Sequence, residues 1–143
     1  MARIKGLETT SSFTSPNGPV KGIEDVLDFE YELDIEILEA EYLGHESKSY
    51  DEIYNGVSGN ITLHMSGKEM FEFEELIENR ARRRSAASGV FTHQSTYNFP
   101  DGGRVRLTFE DIHFGPIQTR SQSRKDYVQK TFSWKCETVR RTF

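Results

Sequence analysis

The most regular hydrophobic pattern in the chain lies in residues 26–42, which read VLDFEYELDIEILEAEY. Apolar and acidic side chains alternate strictly over most of this segment. The apolar face carries Leu27, Phe29, Tyr31, Leu33, Ile35 and Ile37, and the acidic face carries Asp28, Glu30, Glu32, Asp34 and Glu36. A period of two predicts a long β-strand, because a helix would spread these charges around its surface. The phase changes after Ile37, which predicts a β-bulge there.

Four further segments alternate in the same way and are predicted to form strands: residues 60–65, 90–99, 104–114 and 127–138. The sequence Pro100-Asp101-Gly102-Gly103 predicts a turn between two of them. A change of phase at Glu110-Asp111 predicts a second bulge, and Gly115-Pro116 is expected to end that strand. The polar segments 43–58 and 117–126 are expected to be long loops.

One helix is predicted over residues 67–84. Met70, Phe73, Ile77 and Ala81 recur at helical spacing, and Ser66 followed by Glu69 fits a capping box. About five long strands around one central helix predict a mainly β protein, an antiparallel β-sandwich or barrel with one flanking helix.

The length of 143 residues fits one domain. Residues 1–22 are rich in Ser, Thr, Pro and Gly, which predicts a flexible N-terminal arm. Residues 23–143 are expected to form a single β domain.

Charge is distributed unevenly behind the formal net value of −5. Residues 1–79 hold 18 acidic and 5 basic side chains, a net charge of −13, and residues 80–143 hold 5 acidic and 13 basic ones, a net charge of +8. Such asymmetry is a sign of partner binding. It fits either acid–base pairing inside one domain or association between the acidic surface of one copy and the basic surface of another.

No catalytic, cofactor or metal site is predicted. Gly67-Lys68 lacks the other residues of a phosphate-binding loop, and the four histidines lack metal-ligand spacing. The single cysteine, Cys136, excludes an internal disulfide and is expected to be a buried thiol, which suggests a reducing compartment. The start of the chain lacks the apolar stretch of a secretory signal, and no apolar run is long enough to span a membrane.

Two charged groups are candidate functional surfaces. The five carboxylates of the acidic strand repeat at about 6.7 Å, which makes a charged surface and not a catalytic pair. This surface is either an ordinary solvated face or a negative surface that repels what it faces. The basic cluster Arg80, Arg82, Arg83 and Arg84 either complements the helix dipole or contacts a protein or nucleic acid.

The order of these elements resembles that of bacteriophage tail tube proteins. The shared features are the polar N-terminal segment, the acidic alternating strand ending near Leu43-Gly44, and a variable loop. A strand through Ser58–His64, one central helix, two strands around the Pro100–Gly103 turn and a final strand through Phe132-Ser133-Trp134 complete the match. The resemblance covers residues 23–138 and rests on element order and charge pattern.

The resemblance implies a non-enzymatic structural subunit, similar to the tube subunits of type VI secretion and contractile injection systems. Such subunits form homohexameric rings that stack head to tail into a tube, and genomic DNA passes through a negative lumen without specific binding. Asp28, Glu30, Glu32, Asp34 and Glu36 are then candidate lumen residues. Candidate inter-subunit contacts are Arg80, Arg82, Arg83, Arg84, Tyr50 and Tyr54.

The implied partners are the chain itself, baseplate and tail terminator proteins and, in a contractile tail, the sheath, with no membrane. The implied location is the virion tail after assembly in the host cytoplasm. Two alternatives stay open: a ring-forming terminator or baseplate protein of the same fold, and a small β-barrel module that binds nucleic acid. Arg104 and Arg106 lie in the polar phase of another strand and would reduce the negative charge of the lumen if they paired with the acidic strand.

Overall fold

The computed structural model describes residues 3, 5, 9–16, 18–20, 26–65, 67–83 and 90–143. Nine strands and one helix lie within these residues. They are β1 (Thr9–Ser15), β2 (Gly18–Pro19), β3 (Val26–Ala40), β4 (Ser49–His64), α1 (Glu69–Ala81), β5 (Thr92–Asn98), β6 (Arg104–Phe109), β7 (His113–Arg120), β8 (Gln129–Cys136) and β9 (Val139–Thr142). In the described ranges no helix is long and apolar enough to cross a membrane.

The strands form two antiparallel sheets. The five-stranded sheet has the order β2-β1-β5-β6-β9, and the four-stranded sheet has the order β3-β4-β8-β7. The prediction of a mainly β sandwich with one helix is confirmed, and neither sheet closes into a barrel.

Aromatic side chains fill the space between the two sheets. Phe13 and Phe109 come from the five-stranded sheet and Phe132 and Trp134 from the four-stranded sheet, and none of them is more than 1% exposed. The rings of Phe109 and Trp134 meet across the sandwich at 4.7 Å between centroids. Because side chains alternate along a strand, this core directs the intervening polar residues to the outward faces of the sheets.

The helix α1 inserts its apolar face into the same core. Met70, Phe73 and Ile77 are buried. The Phe73 ring lies 5.3 Å from that of Phe13 and 5.5 Å from that of Phe132, so one side chain contacts both sheets. The helix therefore packs against the sandwich as a unit and not against one sheet alone.

A buried ion pair also ties α1 to the four-stranded sheet. The fully buried Lys130 of β8 donates hydrogen bonds to Glu74 (2.6 Å) and to the Thr119 hydroxyl (2.9 Å), and its Nζ lies 4.5 Å from the centre of the Phe71 ring. Removing an ammonium group from water is costly unless it is paired and hydrogen-bonded. These partners satisfy Lys130 and fix the helix on β7 and β8.

Several expected element bounds are wrong. The expected loop 43–58 is mostly strand, because β4 begins at Ser49 and pairs with β3 throughout. Its first half contacts no core, so the sequence shows no buried periodicity there. The register shifts on β3 fall between Val26 and Asp28 and between Leu33 and Ile35, and not after Ile37.

The expected strand 104–114 with a bulge is two strands in different sheets. β6 ends at Phe109, the chain turns at Asp111 with φ 49°, and β7 begins at His113. β7 continues through Gly115-Pro116 into the expected loop, since a proline is tolerated in an edge strand where its missing N–H is not needed. The last expected strand, 127–138, corresponds to β8, and the short strand β9 that follows it was not predicted.

The expected N-terminal arm is wrong for residues 9–15. They form β1, which pairs with β5, and Phe13 occupies the centre of the core. A single apolar residue among Ser and Thr gives only a weak sign of a strand, although Ser and Thr suit the solvent face of a strand.

The helix has Lys68 as its N-cap and ends at Ala81. Ser66 of the expected capping box lies outside the described residues.

His93 is an uncharged histidine in the middle of this aromatic core. Its ring stacks on Phe13 at 4.6 Å and on Phe109 at 5.6 Å, and neither ring nitrogen has a hydrogen-bond partner in the described part of the chain. Burial lowers the pKa of His93 from 6.5 to about 3. The folded protein therefore holds the neutral imidazole at all but strongly acidic pH.

We predict that His93 makes the fold sensitive to acid. Above pH 6.5 the imidazole is neutral in both states, whereas between pH 6.5 and about 3 only the unfolded chain binds the proton. Stability should then fall by about 1.4 kcal/mol per pH unit from this residue. The variant His93→Phe keeps an aromatic ring, so its free energy of unfolding in urea should fall about 2 kcal/mol less than wild type between pH 7 and pH 5. His45→Phe controls for loss of an exposed imidazole, and equal pH dependence of wild type and His93→Phe would contradict the prediction.

Candidate assembly surfaces

The outward face of the four-stranded sheet is polar across all four strands. The strand register places Glu30, Asn60 and Ser133 in one row and Glu32, Ser58, Lys135 and His113 in the next. A third row contains Asp28, Thr62, Thr131 and Gln118. We call these eleven residues the acidic face, because its carboxylates outnumber its single lysine.

Neutral side chains, and not cations, donate hydrogen bonds to the candidate lumen carboxylates Glu30 and Asp34 of β3. The Ser133 hydroxyl donates to Asn60 (2.7 Å), and the Asn60 amide donates to Glu30 (3.0 Å). The Ser58 hydroxyl donates to Asp34 (3.3 Å). Among the described residues none of the five candidate lumen carboxylates forms an ion pair, whereas Glu39 at the far end of β3 pairs with Lys48 (3.4 Å).

The five predicted carboxylates divide into two groups. Asp28, Glu30 and Glu32 lie where β3 belongs to the full sheet. Asp34 and Glu36 lie farther along, where β3 pairs with β4 alone. The sequence did not identify the neutral partners Asn60 and Ser133, because cross-strand register is not encoded in local periodicity.

A groove of about 490 Å³ crosses the acidic face between its first two rows. Its lining includes Glu30, Glu32, Lys135 and Pro116, and also Gly59 and Trp134 of the row between them. A Cβ at Gly59 would lie 2.4 Å from the Trp134 ring, so the glycine allows the indole to pack directly on the β4 backbone. The described residues contain no cluster of side chains suited to a metal ion.

Beyond this face the β3–β4 pair projects as a separate hairpin. β8 pairs with β4 only from Val57 to His64, so residues 34–55 form a two-stranded extension that we call the hairpin arm. At its base Gly56 adopts φ 101° beside the register shift, and the Tyr54 hydroxyl donates to the Glu137 carbonyl (2.6 Å). These contacts fix the direction in which the arm leaves the sheet.

The hairpin arm is acidic and exposes large apolar side chains. It holds seven acidic residues and one lysine, a net charge of −6. Its exposed apolar residues are Ile35, Ile37, Leu38, Tyr42, Leu43, Tyr50, Ile53 and Tyr54. Two strands alone are marginally stable in water, and an exposed apolar patch usually marks an interaction site.

The predicted arginine cluster does not form one patch. Arg80 donates to the Ile112 carbonyl (2.8 Å) and lies 4.3 Å above the Phe91 ring, so it acts within the subunit. Burial lowers the pKa of Arg80, partly offset by Asp111. Arg82 is exposed and pairs with Glu78 (3.1 Å), and Arg83 is exposed at the left-handed turn that ends the helix. Arg84 lies outside the described residues.

Cys136 is a buried free thiol, as expected from the sequence. Burial raises the pKa of Cys136, which disfavours the reactive thiolate.

The two sheets differ in their open edges. The four-stranded sheet ends in β3, with 15 residues, and β7, with 8 residues. The five-stranded sheet ends in β2 and β9, with 2 and 4 residues. Short edge strands discourage pairing with another chain, whereas long ones offer unpaired N–H and C=O groups. Lateral association through strand pairing is therefore available mainly to the four-stranded sheet.

The architecture is shared with solved tube and injection-system structures. A chain of the cryo-EM structure of the anti-feeding prophage baseplate superposes with a TM-score of 0.67 at 9% identity, over 99% of this chain and 96% of that one. The SPP1 tail tube gives 0.59 at 12% identity, over 98% and 79% of the two chains. The chain has the tail-tube fold. A sheath–tube complex of an extracellular contractile injection system gives 0.60 at 8% identity, over 98% and 91%.

The likeness is one of fold and not of sequence. No protein-family model matches the chain, and a search of curated proteins finds no match. The expected resemblance to tail tube proteins is thus confirmed in structure. The acidic face, the hairpin arm and the two long edges are therefore the candidate assembly surfaces.

Gly59 gives a test of how the acidic face is supported. We predict that Gly59→Ala destabilises the fold by about 1–3 kcal/mol, because the new methyl group must displace the close-packed Trp134 ring. Gly115→Ala is the matched control, since a Cβ there meets its nearest atom at 3.8 Å. Urea unfolding at pH 7 measures both. A loss at Gly59 no larger than at Gly115 would show that the indole position is not constrained by this glycine.

Proposed function

We propose that the protein is a non-enzymatic structural subunit of a tail tube, in which hexameric rings stack into a hollow tube with a negative lumen that conducts genomic DNA. The observation that carries the proposal is the combination, in one sheet of a tail-tube fold, of two long open edges and an acidic face whose carboxylates form no ion pair among the described residues.

The strand directions are compatible with ring closure. The four strands of the sheet are antiparallel in sequence, so β3 and β7 at its two edges run in opposite directions. A rotated second copy therefore brings its β3 antiparallel to β7 of the first. Repeating this head-to-tail contact closes a ring and removes both edges, which is the arrangement that relieves a long unpaired strand.

In such a ring the acidic face lines the lumen. Phosphate groups are repelled by carboxylates through the same electrostatics that attract them to lysine and arginine. Asp28, Glu30 and Glu32 would then form rings of negative charge along which a polyanion slides without binding. Arg104 and Arg106 do not offset this charge, because both belong to β6 in the other sheet.

Stacking uses opposite charges at the two ends of the sheet. The acidic hairpin arm projects at one end. The turn between β7 and β8 lies at the other end and carries Arg120, Arg124 and Lys125 near its single acid Asp126. Head-to-tail stacking places the arm of one ring on the basic turn of the next, with Tyr50 and Tyr54 covering apolar surface. Arg82 and Arg83 are further candidate contacts.

The proposed partners follow from the proposed role as a tail tube subunit. The similar structures are of a sheath–tube complex, a baseplate and a tail tube, so we propose sheath, baseplate and terminator proteins as partners. The proposed location is the tail of a virion or secreted particle, assembled in the host cytoplasm. A second candidate is a terminator, because a tube-terminating cap of the anti-feeding prophage also shares the fold, with a TM-score of 0.63.

Charge exchange tests the stacking contact. The purified chain should form tubes in negative-stain micrographs, and R124E/K125E should stop at single rings, because it places acid against the acidic arm. Adding E46K/E52K on the arm should restore tubes by reversing both partners. A terminator would give single rings in every case. A wild-type chain that stays monomeric at high concentration would contradict the tube assignment.

Charge reversal on β3 tests the lumen. We expect D28K/E30K/E32K to form rings and tubes that retain linear duplex DNA against nuclease, whereas wild-type tubes retain none. The control E72K/E75K/E78K makes the same charge change on the exposed side of α1 and should retain no DNA. If D28K/E30K/E32K fails to assemble while the control assembles, these carboxylates serve subunit pairing and not the lumen.

A further inference from the structure

The outward face of the five-stranded sheet differs in charge from the acidic face. Its register rows contain Thr10, Thr96, Arg106 and Thr142, then Ser12, Gln94 and Arg140 around the buried Thr108, and beside them Asn98 and Arg104. We call this set the Thr/Arg face. The five strands of this sheet contain four arginines and no aspartate or glutamate, whereas β3 alone contains six carboxylates.

The charge asymmetry of the sequence thus becomes an asymmetry between two opposite surfaces. The aromatic core separates the two outward faces, and stacked sheets lie about 10 Å apart before side chains are added. The arginines of one face therefore do not neutralise the carboxylates of the other. Pairing inside the domain, one of the two explanations open from the sequence, does not account for these charges.

Two arginines of the Thr/Arg face have no acidic partner among the described residues. Arg104 and Arg106 are exposed and form no ion pair there, whereas Arg140 pairs with Glu110 (2.8 Å). Arg104 and Arg106 are two residues apart on one strand, so their guanidinium groups leave the same side about 6.7 Å apart. Guanidinium groups bind carboxylates in a bidentate manner, and the surrounding hydroxyl and amide groups add neutral donors.

The chemistry of this face favours an acidic protein as its occupant. Its rows contain no aromatic side chain on which unpaired bases could stack and no large apolar side chain that could enter a membrane. A flat β-surface of threonine, serine, glutamine and arginine suits a polar protein contact of complementary charge. In a closed ring with the acidic face inside, every copy presents this face outward.

We propose that the Thr/Arg face is a docking surface for an acidic protein that surrounds the assembled tube, with Arg104 and Arg106 as its main charged contacts. The outward position rests on the proposed function, whereas the binding of acidic polypeptide does not. The repeated ring of basic faces would give a repeated acidic coat many equivalent contacts.

Binding of fluorescent poly-L-glutamate to the full chain tests the face. At about 50 mM salt we expect R104E/R106E to weaken binding at least tenfold, and R104K/R106K to weaken it a few-fold, because lysine keeps the charge but loses bidentate geometry. The matched control K68E/K135E makes the same charge change at the N-terminus of α1 and on β8, outside the Thr/Arg face and the stacking contacts, and should bind within twofold of wild type. Thermal unfolding confirms that each variant is folded.

Three results would overturn the proposal. Equal weakening by R104E/R106E and K68E/K135E would mean that net charge alone attracts the probe. No binding of wild type to poly-L-glutamate would remove the docking surface. Tighter binding of duplex DNA than of poly-L-glutamate, lost in R104E/R106E, would assign the face to nucleic acid. R104E/R106E is expected to form tubes like wild type, so failure of assembly and failure of docking are measured separately.

Discussion

The aromatic layer between the two sheets is the constraint on which the rest of the molecule depends. Phe13, Phe109, Phe132 and Trp134 occupy it from three strands, and Phe73 joins it from the helix. Because each strand can bury only alternate residues, the choice of these inward side chains also determines which charged residues must lie outside. The two charged surfaces of the subunit are therefore consequences of how its core is packed.

The same constraint explains which elements were predictable. β3 and α1 were identified from sequence, because strict alternation and helical spacing of apolar residues directly reflect burial. The first half of β4 was missed, since residues 49–56 pair with β3 but pack on no core. β7 was missed because Gly115-Pro116 resembles a strand end, although an edge strand accommodates it. β1 offered one buried aromatic, Phe13, among serines and threonines.

The candidate surfaces were predictable to a similar extent. The alternating carboxylates of β3 were predicted from the sequence, and the resemblance to tail tube proteins came from the order of the elements. Three facts depend on contacts between distant segments: that Asn60 and Ser133 orient Glu30, that Arg80 of the helix bonds the Ile112 carbonyl, and that Arg104 lies in the opposite sheet. Register depends on pairing between distant segments, so local composition does not determine it.

The unequal ends of the four-stranded sheet have a consequence for any finished particle. In the proposed tube, copies joined head to tail would all point the same way, so its two ends would differ chemically. One end would display the acidic hairpin arms with their tyrosines, and the other would display the basic turns that precede β8. A protein that starts the tube and a protein that stops it would thus need opposite surfaces, and neither could replace the other.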